Sequence, residues 1–298
     1  MPLLARHRAL IALAIVSLIW SFNWIVMKQA LQYSGPFGFS ALRFVIGSVI
    51  LFGVLLLSRQ SLRPPPLLQT FLIGITQTMG FQALVQWALV EGGAGKTALL
   101  AYTMPFWVVL ITWALLAEKP TRRHQLSIAI AAIGLILVIE PWHGLGGELS
   151  AALAIIGGLA WSIGVVLSKR LFRSSGVTAL SLTAWQMLFG AMGLLVVAVL
   201  VPERSFDWTP WFIGAVAYNA VLASCVAWLL WSYVVERLPT HVAGMSSLVI
   251  PLAGIGFAWL LLGERPSLLE AAGIVTIAIA LVVLNLGGKR NPLQQSSE

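Results

Sequence analysis

Ten apolar runs, each near the length of a bilayer crossing, follow one another along this chain with only short turns between them. A bilayer core of about 30 Å takes roughly 20 apolar residues per helix. Charged and turn residues divide the sequence into approximate segments Ala9–Met27, Phe39–Leu57, Leu67–Val90, Thr97–Ala117, Leu126–Ile139, Leu149–Leu167, Thr178–Val201, Pro210–Val235, Val242–Leu262 and Leu268–Leu286. The fifth is short, and no connecting stretch has room for a soluble domain. Composition agrees: 59% of residues are hydrophobic and 9% charged, against about 25% charged in an ordinary soluble domain. Such a chain cannot cover a globular surface with polar groups, which excludes a soluble enzyme, a nucleic-acid-binding domain and a disordered tail. The runs are continuous rather than alternating, so a β-barrel is excluded as well. The predicted class is an all-α integral membrane protein of ten transmembrane helices. Arg6-His7-Arg8 gives the first run a basic flank, but no small-x-small cleavage site follows it, so it is expected to stay as a helix rather than leave as a signal peptide.

The formal net charge of +8 gains meaning from where the charges fall. Cytoplasmic loops are enriched in Lys and Arg. With ten crossings both termini share one side, and that side collects thirteen of the eighteen basic residues, Arg6, Arg59, Arg122, Lys169, Arg237 and Lys289 among them. The other side holds Lys28, Lys96, Arg204 and Arg265, and Arg43 lies inside the second run. The expected placement is therefore the cell (inner) membrane, multi-pass, with both termini cytoplasmic.

Repeated residues divide the chain in two. Trp20-Ser21 and Lys28 match Trp161-Ser162 and Lys169 at an offset of 141 positions; Arg43 and Gly47 match Gln186 and Gly190 at 143. Pro105, Trp113, Glu118 and Pro120 match Pro251, Trp259, Glu264 and Pro266 at 146. The third and eighth runs align only with a gap. The halves are predicted as residues 9–141 and 149–286, flanked by a cytoplasmic segment over residues 1–8 and a cytoplasmic tail over residues 287–298. Five crossings per half is an odd number, so the two repeats enter the membrane from opposite sides. Inverted repeats are an architecture of secondary transporters, with the substrate site near the midplane between the halves.

On these residues the chain resembles the EamA family of the drug/metabolite transporter superfamily. The resemblance rests on the Trp-Ser start of each repeat, the proline in its fourth helix, and the closing Leu-Ala-Glu-Lys-Pro (116–120) and Leu-Gly-Glu-Arg-Pro (262–266). It implies a ten-helix metabolite transporter, with export of amino acids or related small molecules as a frequent activity.

Polar residues inside apolar spans tend to face a bundle interior or an aqueous path. The pathway candidates are Trp20, Asn23, Trp24, Arg43, Thr78, Gln82, Gln86, Tyr102, Trp161, Gln186, Asn219 and Trp228. Thr78, Gln82 and Gln86 recur at i, i+4 and i+8, one polar stripe on the third helix; interhelical hydrogen bonding is the alternative use. Lys28 is expected to snorkel toward the headgroups, whereas Arg43 lies deeper and could pair with a substrate carboxylate. Pro105 and Pro251 are hinge candidates, because a mid-helix proline frees the carbonyl four residues back, here on Ala101 and Ser247. Glu118 and Glu264 read as turn and packing residues.

Gly93-Ala94-Gly95-Lys96-Thr97 mimics the end of a phosphate-binding loop, yet Val90 stands where that pattern needs its first glycine. No nucleophile turn or convergent acid–base set favours the rival class, a membrane-embedded enzyme. Nucleotide sugars and drug-like cations are the alternative cargoes. The expected partners are a small-molecule substrate and the lipid bilayer, with a proton or exchange substrate as coupling options and a homodimer as an assembly option. No nucleic acid, cofactor or metal is expected; the lone Cys225 excludes an internal disulfide.

Overall fold

A computed structural model of the chain describes residues 3–116, 120–143, 148–238, 243, 247–262 and 267–285. Glu118, His241 and Glu264, and the tail beyond residue 285, lie outside the described residues. Those described form helices and turns, with no strand among them. In chain order the helices are α1 (Leu3–Ala30), α2 (Pro36–Leu57), α3 (Leu67–Ile73), α4 (Phe81–Glu91), α5 (Ala94–Ala101), α6 (Met104–Leu116) and α7 (Arg122–Ile139). The second half supplies α8 (Glu148–Ser174), α9 (Ala179–Leu200), α10 (Pro210–Tyr218), α11 (Ala227–Arg237), α12 (Val249–Leu262) and α13 (Leu268–Asn285). Six helical stretches are long and apolar enough to cross a membrane, the longest being Pro210–Arg237. Their outer faces are bare hydrocarbon: Leu57, Val199 and Leu268 are each more than four-fifths exposed, a surface that suits lipid and not water.

Local signals set the helix starts. Pro36 and Pro210 occupy first-turn positions of α2 and α10, where a missing N–H costs nothing. Thr178 and Thr209 cap α9 and α10 by accepting from the amides of Ser181 and Phe212. The amides opening α2 are capped from the far half of the chain, Glu203 accepting from Phe37 N at 2.8 Å and Gly38 N at 2.7 Å.

Two features escape the apolar pattern. Between α3 and α4 the backbone runs as a π-helix over Gly74–Gly80, and between α10 and α11 over Asn219–Val226. These widened turns occupy matching positions in the two halves, so the third and eighth segments are equivalent despite their poor alignment. A π turn bonds i to i+5, which shifts every side chain beyond it around the axis. The fourth segment is also not one kinked helix. It breaks at Tyr102–Thr103, between α5 and α6.

The principal packing partners of most helices belong to the other half of the chain. α1 lies on α11 and α12 while, reciprocally, α8 lies on α4 and α6; α2 and α9 pair with each other, as do α7 and α13. Small residues permit the closest approaches. Gly47 of α2 faces Ser224 and the Ala220 carbonyl of the second π segment; its counterpart Gly190 of α9 faces Thr78 and the Gly74 carbonyl of the first. Gly134 of α7 sits against the Gly273 carbonyl of α13. Neither half is a bundle in its own right.

Candidate functional site

Where the halves meet lies a small cavity of about 30 Å³, space for about two water molecules. Its polar lining is Asn23 from α1, Arg43 from α2 and Gln82 from α4; its aromatic lining includes Trp20, Trp24 and Tyr102. The second half contributes Trp161, Ala223 and Trp228. Eight sequence candidates thus come together: Trp20, Asn23, Trp24, Arg43, Gln82, Tyr102, Trp161 and Trp228. Phe81, Met27 and Met104 line the cavity too; as apolar residues in apolar runs, they carry no sequence signal of their own. A larger apolar groove of about 620 Å³ runs on the flank between α2, α4 and α9, where the Glu203 carboxylate at its rim is already engaged with Phe37 and Gly38.

Arg43 is the electrostatic centre. It is 1% exposed, and its guanidinium donates to Asn219 Oδ1 at 2.6 Å and to Gln82 Oε1. Its carbon lies 4.7 Å from the Phe44 ring centroid, a cation–π contact. Among the described residues no carboxylate comes within ion-pair distance of it. Asn219 therefore reaches the site through Arg43, and ties the second π segment to α2.

The tryptophans form one cluster. Trp161 packs edge-on against Trp20 at 5.4 Å and Trp228 at 5.0 Å between ring centroids. Trp231, one helical turn beyond Trp228, joins them. Trp20 Nε1 donates across the halves to the Ala223 carbonyl at 3.0 Å. Such edge-on pairs contribute about 0.5–1.5 kcal/mol each beyond burial, so the cluster holds the halves together as well as lining the cavity.

Thr78, Gln86 and Gln186 are fully buried but do not line this cavity. Thr78 packs on Gly190, and the π turn explains the parting: a spacing of four no longer keeps Thr78 above Gln82. The stripe is divided between cavity and helix contact.

The hinge candidates are placed differently from expectation. Pro105 is the second residue of α6 and Pro251 the third of α12, both buried. In a first turn the missing N–H removes no bond. The freed Ala101 carbonyl faces Gly158 of α8, where an added Cβ would come within 2.5 Å. It meets a helix backbone and not the cavity. Each break is instead held by a serine of the opposite half. Ser162 Oγ shares its proton between Gly158 O of its own helix at 2.7 Å and Met104 O at 2.9 Å, just before Pro105. Ser21 Oγ likewise lies between Ser17 O at 2.5 Å and Ile250 O at 2.9 Å, just before Pro251.

Lys28 does not snorkel. Its ammonium donates to the Leu89 carbonyl at 2.6 Å and Gly92 carbonyl at 2.9 Å, at the end of α4. Lys169 does the same for Val235 and Leu238, each at 2.8 Å, at the end of α11. Helix C-termini present unpaired carbonyls and partial negative charge, so a cation there has a better partner than the headgroups. The matched lysines were visible in the sequence; their carbonyl partners, common to every residue, were not.

Apolar outer faces, membrane-length helices and a polar-lined cavity between two repeated halves define a multi-pass membrane transporter. The EamA-like transporter family model matches residues 7–140 and 149–286, and the chain belongs to that family, within the drug/metabolite transporter superfamily. It is a transporter and not an enzyme. It is 26% identical over 283 residues to "Uncharacterized transporter YoaV" of Bacillus subtilis, spanning 92% of this chain and 95% of that protein. It is 25% identical to the "Probable amino-acid metabolite efflux pump" of Salmonella typhimurium, over 94% and 95% of the two chains. The "S-adenosylmethionine/S-adenosylhomocysteine transporter" of Chlamydia trachomatis is also 25% identical, over 89% and 85%. A solved structure titled "Crystal structure of protein" superposes with a TM-score of 0.78 at 21% identity, covering 95% of this chain and 99% of that one; that likeness is one of fold.

Proposed function

We propose that this protein is a secondary transporter that exports a small polar or amphipathic metabolite, of the amino-acid kind, by alternating access. In this reading the chain crosses the inner membrane ten times as two inverted five-helix repeats, residues 9–141 and 149–286, with both termini cytoplasmic. The observation that carries it is the central cavity, whose walls come from both halves, so any relative movement of the halves changes its exposure. Its small volume fits a closed state, which a metabolite enters only once one side has opened. The name of the Salmonella relative supports export of amino-acid metabolites.

Efflux from vesicles carrying the purified protein tests this reading. Labelled amino acids and related metabolites are loaded, and release is followed with and without a proton gradient. Release of at least one solute above protein-free vesicles is expected; gradient dependence separates proton coupling from exchange or downhill movement. Failure of the whole panel to move would count against the proposal.

A further inference from the structure

We infer that Arg43 is the recognition site for a carboxylate, so that the transported solute is a monoanion or zwitterion at that end and an apolar body at the other. This rests on the transport reading above and narrows its substrate class.

Three observations lead there. First, among the described residues Arg43 is the one charged side chain lining the cavity, and its bonding partners are the neutral amide oxygens of Asn219 and Gln82. Taking a cation out of water costs several kcal/mol even after relaxation, and amide dipoles offset only part of that cost. A carboxylate would offset more, because the guanidinium fork binds its two oxygens in parallel. Second, Arg43 Nε and Asn23 Oδ1 are buried without a hydrogen-bond partner, on residues 1% and 5% exposed that both line the cavity. Buried polar atoms are nearly always paired, and with Trp161 Nε1 the cavity holds three orphans: two donors, Arg43 Nε and Trp161 Nε1, that a carboxylate can satisfy, and one acceptor, Asn23 Oδ1, that suits a solute N–H. Third, the fold itself needs no cation here, because the matching position of the second half is Gln186, equally buried.

The remaining wall decides the rest of the solute. Trp20, Trp24, Trp161 and Trp228 present ring faces and edges to an aliphatic or aromatic body. A nucleotide sugar, with two phosphates, would call for more than one cation. A drug-like cation would meet Arg43 as a like charge. The binding event also has a structural consequence. A carboxylate bridging the unpartnered Nε and the neighbouring Nη2 competes with Gln82 Oε1 for that nitrogen, which loosens the tie between α2 and α4 and leaves the Asn219 tie in place.

The test uses acid and amide pairs of one shape: phenylacetate with phenylacetamide, and 4-methylpentanoate with its amide. Thermal unfolding of the purified full chain is followed with each probe at saturating concentration. Both acids are expected to raise the midpoint of the wild type by about 2–4 °C, and the amides to leave it unchanged. Arg43→Gln is expected to lose the shift, and Arg43→Lys to keep a reduced one. Equal shifts from acid and amide, no shift from either acid, or a full shift retained in Arg43→Gln each overturn the assignment. The wild-type pairs decide the matter even if the variants fail to fold. The same labelled pairs, followed in vesicle efflux, separate the two readings. Acid and amide leaving equally fast would refute the carboxylate site and keep transport; acid that shifts the midpoint but never leaves would keep the site and refute transport.

Discussion

Lys28 crowns the end of α4 and Lys169 the end of α11; Ser21 holds the break before Pro251 and Ser162 the break before Pro105. In these scaffold positions the two halves use the same residue for the same physical task. At the cavity they part. Arg43 has Gln186 as its counterpart at an offset of 143; Gln82 has Trp228 at 146; Asn23 has Gly164 at 141, and that glycine lies against the side chain of Gln77. What is shared holds helix ends and helix breaks and places one tryptophan of each half, Trp20 and Trp161, at the cavity; the polar lining is what differs. The first half supplies the polar groups Asn23, Arg43 and Gln82 together with most of the aromatic lining, and the second adds only Trp161, Ala223 and Trp228, so the one cavity is chemically lopsided although its frame is repeated.

The comparison can be broken most severely at the paired glycines. A Cβ on Gly190 would overlap Thr78 and approach the Gly74 carbonyl at 3.0 Å, whereas one on Gly47 meets Met187 Sδ at 3.0 Å and Ser224 Cβ at 3.3 Å. The first neighbours are helix-bound; the second include a flexible thioether. Gly190→Ala is expected to destabilise by about 3 kcal/mol, and Gly47→Ala by about 1 kcal/mol or less. Thermal or denaturant unfolding of the purified protein measures both, and equal losses would deny the difference between the two π contacts.

The lysine caps come next. Lys169 is 7% exposed and Lys28 only half-buried, so loss of its bonds strands carbonyls farther from water. Lys169→Met is expected to cost about 2–3 kcal/mol, near the upper end for unsatisfied buried groups, and Lys28→Met about 1 kcal/mol. The reversed order, read by the same unfolding measurement, would contradict capping as the role.

Ser21→Ala and Ser162→Ala probe the part of the frame that is most alike. Each removes one buried hydroxyl bond to the carbonyl preceding a proline, and each is expected to cost about 1 kcal/mol, equal within about 0.5 kcal/mol. A loss at one serine alone would show that only one break is held this way. Smallest of all are Trp113→Leu and Trp259→Leu. Both indoles are about half exposed on the outer face, at 53% and 52%, and each change is expected to stay within about 0.5 kcal/mol.

Much of the frame was legible because tryptophan, lysine and proline matches are rare enough to stand out in an apolar chain. Trp20 with Trp161 and Lys28 with Lys169 were found by offset alone. The π segments were not, since a widened turn leaves no residue type behind; it shows only as the gap needed to align the third and eighth runs. That same turn separated Thr78 from Gln82, which a uniform helical period had placed together. Pro105 alone implies a kink within one helix, because the sequence displays the proline but not the break two residues before it. Arg43 was legible as the sole basic residue well inside a run, while its amide partners Asn219 and Gln82 sat in the candidate set without any sign that they converge on it.

Central to the account is that the Asn23–Arg43 cavity opens alternately to the two sides of the membrane. Asn23→Cys in a Cys225→Ser background, exposed to a membrane-impermeant maleimide from either face of sealed vesicles, measures this most directly. The account predicts labelling from both faces, with a Trp113→Cys control on the lipid-facing surface unreactive. Labelling from neither face, or from one face only under every condition, would contradict it.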